Sequence, residues 1–223
     1  WDGEMLPVPY NLAQETGRMR ERIAKELRRT GKAKVATGNL AEQLSIDKPA
    51  LVKAVEEILE HTKQNAPTPT HNHVLLEVFD KYVIIHACFG EVVNRTLGCI
   101  FDAILSDREL ITGWWNDGYR ILIETPRKLK AKEMEKLSAT LFDLSVEDVE
   151  KSFNDYLEAR FPFAYKMKFV AERFGALPRG KTILNPERLR QLSDQFKKTP
   201  IFDETLREAM LEKVDIQKVK EVM

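Results

Sequence analysis

The apolar periodicity of this chain changes twice, and that change limits the folds open to it. Leu12, Thr16, Met19, Ile23 and Leu27 recur at spacings of four, three, four and four, one face of an amphipathic helix over residues 11–30. Asn39 reads as an N-cap for a short helix over 40–44, and Asp47 with Pro49 opens a longer helix ending near Gln64. Residues 65–72, rich in Pro, Thr, Asn and His, read as a linker. The period then shortens to two. Residues 74–79 and 82–87 form β-rich runs joined through Asp80-Lys81, and residues 111–115 and 119–124 form a second pair across Asn116-Asp117-Gly118. Between the pairs, Val92, Val93, Thr96, Leu97, Ile100, Phe101, Ile104 and Leu105 mark a largely buried helix. Beyond Pro126 the pattern is helical again, punctuated at Pro162, Gly175, Pro178, Pro186 and Pro200.

The expected fold class is therefore α+β, mainly helical. It has three segments: a helix-turn-helix-like bundle over 1–66, a central β-β-α-β-β unit with antiparallel hairpins over 67–126, and a helical region over 127–223. No apolar run approaches the roughly 20 residues that cross a bilayer, so no membrane partner and a cytoplasmic location are expected. Cys88 and Cys99 are the only cysteines, which excludes a disulfide scaffold. The opening residues read as mid-protein sequence, so a piece of a longer protein is expected.

Charge is balanced overall, thirty-five basic against thirty-five acidic residues, but it is segregated. Residues 17–34 carry a net +6, residues 133–158 a net −6, and residues 159–198 a net +7. Such blocks can build a basic groove on a neutral protein. Arg18, Arg22, Lys25 and Arg29 repeat the helical spacing one position before the apolar row, a basic stripe whose heads can reach phosphate. Lys166, Lys168 and Arg173 are the corresponding candidates in the second block.

Gly175-Ala-Leu-Pro-Arg-Gly180-Lys181-Thr182 fits the phosphate-loop formula GxxxxGK[ST]. The context opposes it: residues 169–174 continue a helical pattern where a strand is needed, and Pro178 removes a donor from within the loop. Arg179 and Lys181 remain candidates for contact with a nucleic-acid phosphate. His71 and His73 lack the paired acids or cysteines of a metal site, so no metal is expected. No nucleophile–base arrangement can be assembled, and the chain is expected to be non-catalytic on its own, with no cofactor. The helix over 48–64 suggests a duplex-reading winged-helix regulator as an alternative. Its outward residues, which include Lys53, Glu56, Glu57 and Glu60, would meet phosphate with net negative charge. A phosphate-loop NTPase is a further, weaker alternative. Among the tryptophans, Trp114 and Trp115 point to opposite sides of a strand, so at most one is free to stack on a base.

Several motifs in order carry a resemblance: Trp1-Asp-Gly-Glu-Met-Leu-Pro, Tyr82-Val-Ile-Ile-His86-Ala-Cys-Phe-Gly90-Glu-Val-Val-Asn94-Arg-Thr-Leu, Asn116-Asp-Gly-Tyr-Arg-Ile-Leu-Ile with Pro126, Phe169-Val-Ala-Glu-Arg-Phe-Gly175 and Thr199-Pro200-Ile-Phe. Together they resemble the large helicase-related (Lhr) family of superfamily 2 ATP-dependent DNA helicases, archaeal type, in the DEAD/H-associated region that follows the motor. The resemblance implies a parent enzyme whose RecA-like ATPase domains, absent here, use ATP and Mg. It implies single-stranded DNA or a DNA/RNA hybrid as the partner of this region, alongside those ATPase domains. It further implies that Trp1 stacks on a base. Cys88 stands where a proline is common in the family, a departure expected to leave function unchanged.

Overall fold

A computed structural model describes residues 6–64, 66–159, 161–180 and 185–223. Ten helices and four strands are assigned among the described residues. The chain divides into two compact units, Trp1–Asn94 with Trp115–Ile123, and Arg95–Trp114 with Glu124–Met223.

In the first unit, α1 (Tyr10–Thr30), α2 (Ala33–Leu44) and α3 (Lys48–Lys63) pack on one another around Ile23, Leu27, Leu40, Leu51, Val55 and Ile58. Each large aliphatic side chain taken from water here contributes about 1.5–3 kcal/mol. Pro49 sits in the first turn of α3, where its missing N–H leaves nothing unpaired. The sequence reading places the start of α2 too late. Asn39 is a mid-helix residue whose side chain donates to Glu26 Oε1 at 2.6 Å, so its polar group serves a tertiary contact rather than a cap.

The apolar face of α1 is also turned from the expected row. Ile23 and Leu27 are buried, but Leu12 is 55% exposed, while the small residues Ala13, Gly17 and Ala24 are buried. The cause lies in residues 66–73. They take in all of the 65–72 linker stretch that is described, and they cross α1 at Gly17, where a Cβ would lie 2.4 Å from the His71 backbone nitrogen. The Gln14 amide donates to the backbone oxygens of His71 (3.3 Å) and Cys88 (2.8 Å), and Thr70 bridges to His73. Small side chains thus let a second backbone dock on the helix.

β1 (Leu75–Phe79) and β2 (Tyr82–His86) pair antiparallel in register from Leu75↔His86 to Phe79↔Tyr82, turning at Asp80. With β3 (Gly113–Asn116) and β4 (Arg120–Glu124) they make a four-stranded antiparallel sheet in the order β1-β2-β4-β3. Val83 and Ile85 on β2, and Ile121 and Ile123 on β4, alternate inward, as a sheet with one buried face requires. α4 (Glu91–Ser106) lies between the hairpins in sequence.

Two of the motifs that carry the family resemblance, around Asn94 and around Asp117, meet at the start of α4. Asn94 is fully buried and donates to Ala87 O (3.1 Å) and Asp117 O (3.0 Å). The Gly90 N–H reaches Gly118 O, the Glu91 N–H reaches Val8 O, and the Asn116 amide reaches Glu91 O. These groups hold together the chain before α1, the end of β2 and the second hairpin turn, so the two motifs mark a structural junction.

In the second unit, α5 (Ala131–Phe142), α6 (Val146–Ala159), α7 (Phe161–Arg173), α8 (Pro186–Phe196), α9 (Pro200–Lys213) and α10 (Ile216–Val222) are helical. α7 packs on α8 and α9, and α6 on α10. Phe153, Phe163, Met167, Val170 and Phe202 are buried. The Trp114 ring lies over Gly98, where a Cβ would come within 2.2 Å of it. Among the described residues no helix is long and apolar enough to cross a membrane.

Candidate nucleic-acid interface

α1 carries the first basic row. Arg18, Arg22, Lys25 and Arg29 are exposed and follow the helical repeat, so they share one side of the helix. Three of them rest on acids of the same helix. Arg18 pairs with Glu15, Lys25 with Glu21 at 2.7 Å, and Arg29 with Glu26 through two bonds of 3.0 and 2.6 Å. Arg29, and after it Asn39, hold the Glu26 carboxyl down at about 2. Arg22 has no acidic partner among the described residues.

The second set is differently arranged. Lys166 (4.0 Å) and Arg173 both face Glu208 of α9. Lys168 lies ~200° around the helix from Lys166 at 3.6 residues per turn. Its ammonium is 3.8 Å from Glu172 and 5.3 Å from the centre of the Phe169 ring. α7 therefore spreads its cations over two flanks. Arg179 is exposed in the turn beyond α7. Trp1 and Lys181 lie outside the described residues. Sequence reasoning passed over Tyr165 and Phe169, one helical turn apart, whose rings stand edge-to-face with centres 5.0 Å apart. Aromatic spacing of four with two lysines between was the available signal.

Other candidates resolve into structure. His86 pairs with Glu77 Oε2 across the first hairpin at 2.9 Å. Among the described residues no three His, Cys, Asp or Glu side chains converge as metal ligands. Cys88 and Cys99 are buried, and burial pushes the Cys99 thiol up to about 11. The phosphate-loop formula follows a helix. α7 runs to Arg173, and Gly175, with φ +74°, turns the chain out of it while the Ala176 N–H returns to Ala171 O. Residues 175–180 therefore follow a helix rather than the strand that aims a nucleotide-binding loop, and Thr182, like Lys181, lies outside the described residues. Trp115 is 54% exposed on β3, whereas Trp114 is packed on Gly98, as opposite faces of a strand require.

Residues 68–223 match the family described as DEAD/H associated. The chain belongs to that family. This DEAD/H-associated chain is 24% identical, across its whole length, to the ATP-dependent helicase Lhr-Core of Saccharolobus solfataricus. It is 27% identical, over 97% of its length, to the ATP-dependent helicase Lhr-Core protein 2 of Thermococcus barophilus. It spans 27% and 26% of those relatives. Its fold is that of part of the Mycobacterium smegmatis helicase Lhr, a structure bound to ssDNA and AMP-PNP. The TM-score is 0.70 at 19% identity, covering 100% of this chain and 29% of that one.

Proposed function

We propose that this DEAD/H-associated chain is the non-catalytic strand-binding region of an ATP-dependent, Lhr-type DNA helicase. It grips single-stranded DNA, or the DNA of a DNA/RNA hybrid, during translocation and unwinding. The RecA-like domains of the helicase bind ATP and Mg and perform the hydrolysis. The observation that carries the reading is the exposed row Arg18, Arg22, Lys25 on α1, with Arg22 unpaired among the described residues. A row of cations at helical spacing matches the repeating charge of a phosphate backbone and releases its counterions on binding. Lys166, Lys168, Arg173, Arg179 and Lys181 add phosphate contacts, and Trp1 stacks on a base. Membership of the family and the ssDNA bound to the Mycobacterium smegmatis helicase Lhr support the choice of ligand.

A duplex-reading regulator is less well supported, because the middle of the exposed side of α3 carries three acids, Glu56, Glu57 and Glu60, against one base, Lys53. The test is fluorescence anisotropy of a labelled single strand titrated with the chain at several salt concentrations. Affinity should fall steeply with salt, and the triple variant Arg18→Ala, Arg22→Ala, Lys25→Ala should flatten the log–log slope by about 2, at roughly 0.7 per phosphate contact. Absent or salt-insensitive binding refutes the grip. Preference for one defined duplex over single strands selects the regulator instead.

A further inference from the structure

We propose that the outer face of α7, built on Tyr165 and Phe169, is a base-stacking platform for single-stranded nucleic acid. The inference rests on the strand-binding reading above and adds to it a specific aromatic contact. α7 is an amphipathic helix whose inward positions Phe163, Met167 and Val170 are buried. Its core needs no further rings, yet Tyr165 remains 48% and Phe169 41% exposed. The two are one helical turn apart, with ring centres 5.0 Å apart and planes at 84°. Both rings are partly open to solvent, so the pair presents apolar ring surface to a flat guest. Each aromatic side chain has few rotatable bonds, and their mutual contact restrains them further, so little freedom is lost when a base settles there.

Charge selects the guest. Residues 161–180 hold Lys166, Lys168, Arg173 and Arg179 against the single acid Glu172. Glu208 of α9, facing Lys166 and Arg173, offsets one of these charges. The Lys168 ammonium sits over one face of the Phe169 ring, 5.3 Å from its centre, so a base would stack on ring surface that Lys168 leaves open and would bring its phosphate near that cation. Exposed rings bordered by excess cations match a polyanion with flat apolar units, and bases present free faces only when unpaired. An acidic guest without rings would leave the aromatic corner uncovered, and an apolar guest would make no use of the excess positive charge around it.

The test uses the chain with single strands carrying 2-aminopurine, whose fluorescence reports stacking. Tyr165→Ala and Phe169→Ala should each weaken binding by about 5- to 150-fold, the range for losing one stacked base. They should abolish the change in 2-aminopurine emission while leaving the salt slope unaltered, since no cation is removed. Tyr165→Phe with Phe169→Tyr should retain both properties. Phe169→Leu, which keeps apolar bulk, should behave as the alanine variant in emission. If the parent binds and the alanine variants bind equally well with the same emission, the platform is wrong and the strand-binding reading stands. If ring-keeping and ring-removing variants lose binding alike, the role is structural and the platform is again wrong. If the parent binds no single strand at all, the strand-binding reading fails and takes the platform with it.

Discussion

Replacing Gly17 by alanine should destabilise the protein, although Gly17 lies inside a helix where alanine is intrinsically favoured. Two effects of opposite sign compete. Alanine gains about 1 kcal/mol over glycine from helix propensity. Against that, its Cβ would stand 2.4 Å from the His71 nitrogen, 2.7 Å from His71 Cα and 2.9 Å from the Thr70 carbonyl carbon. These are backbone atoms with no rotamer to change, so the crossing segment must lift. Overpacking of this kind costs about 1–3 kcal/mol. Lifting the segment also strains the Gln14 to His71 hydrogen bond, a contribution of about 0.5–1.5 kcal/mol. The net expectation is a loss of about 1–2 kcal/mol. Gly38 supplies the control, because it lies within α2 and a Cβ there meets nothing within 4 Å. Gly38→Ala should therefore gain about 1 kcal/mol from propensity alone. Urea unfolding followed by circular dichroism measures both. With a slope of about 2 kcal/mol per molar urea, the midpoint should fall by roughly 0.5–1 M for Gly17→Ala and rise by roughly 0.5 M for Gly38→Ala. Midpoints moving up together would mean that residues 70–73 do not rest on α1, and the steric argument would be wrong.

Glu26 gives a pH test. Its carboxyl is depressed from 4.5 to about 2, so it contributes stability that is complete above pH 4.5 and disappears as pH falls through about 2. Glu26→Gln should flatten that acid limb when urea midpoints are followed against pH; the remainder includes Glu133, held at about 2 by Arg127. An unchanged limb would remove Glu26 from the account. Cys88 and Cys99 should resist iodoacetamide at pH 8 in the folded protein and react after denaturation, because burial raises both thiols. Rapid labelling of the native chain would contradict the packing. Gly98→Ala should be more damaging than Gly38→Ala in thermal melts, since its Cβ would meet the Trp114 ring, with a loss of about 1–3 kcal/mol.

Period-two patterning made both hairpins legible, because a sheet with one buried face imposes alternation that little else produces. The Asp47–Pro49 opening of α3 was legible for a similar reason, since it depends on residues adjacent in the chain. What escaped was tertiary. Nothing local says that Gly17 is empty so that His71 can cross it, or that Asn39 turns its amide to Glu26 rather than capping a helix. Leu12 was assigned inward because periodicity gives a face without saying how wide its neighbour is. In the candidate site, the basic row on α1 could be read from spacing, and so could its pairing, since Glu15, Glu21 and Glu26 stand three or four residues from their partners. The contacts of Lys166 and Arg173 with Glu208 join residues far apart in sequence and could not be read.

The carboxylates beneath the α1 row bear on how long a strand would stay. A bare arginine meeting a phosphate gains a full new attraction, whereas Arg18, Lys25 and Arg29 must each first release an anion they already hold. Such an exchange is close to isoenergetic, so each foothold is shallow and quickly surrendered, and within this row Arg22, without an acidic partner among the described residues, offers a deeper one. A surface of this kind lets a polymer creep past in steps rather than anchoring it.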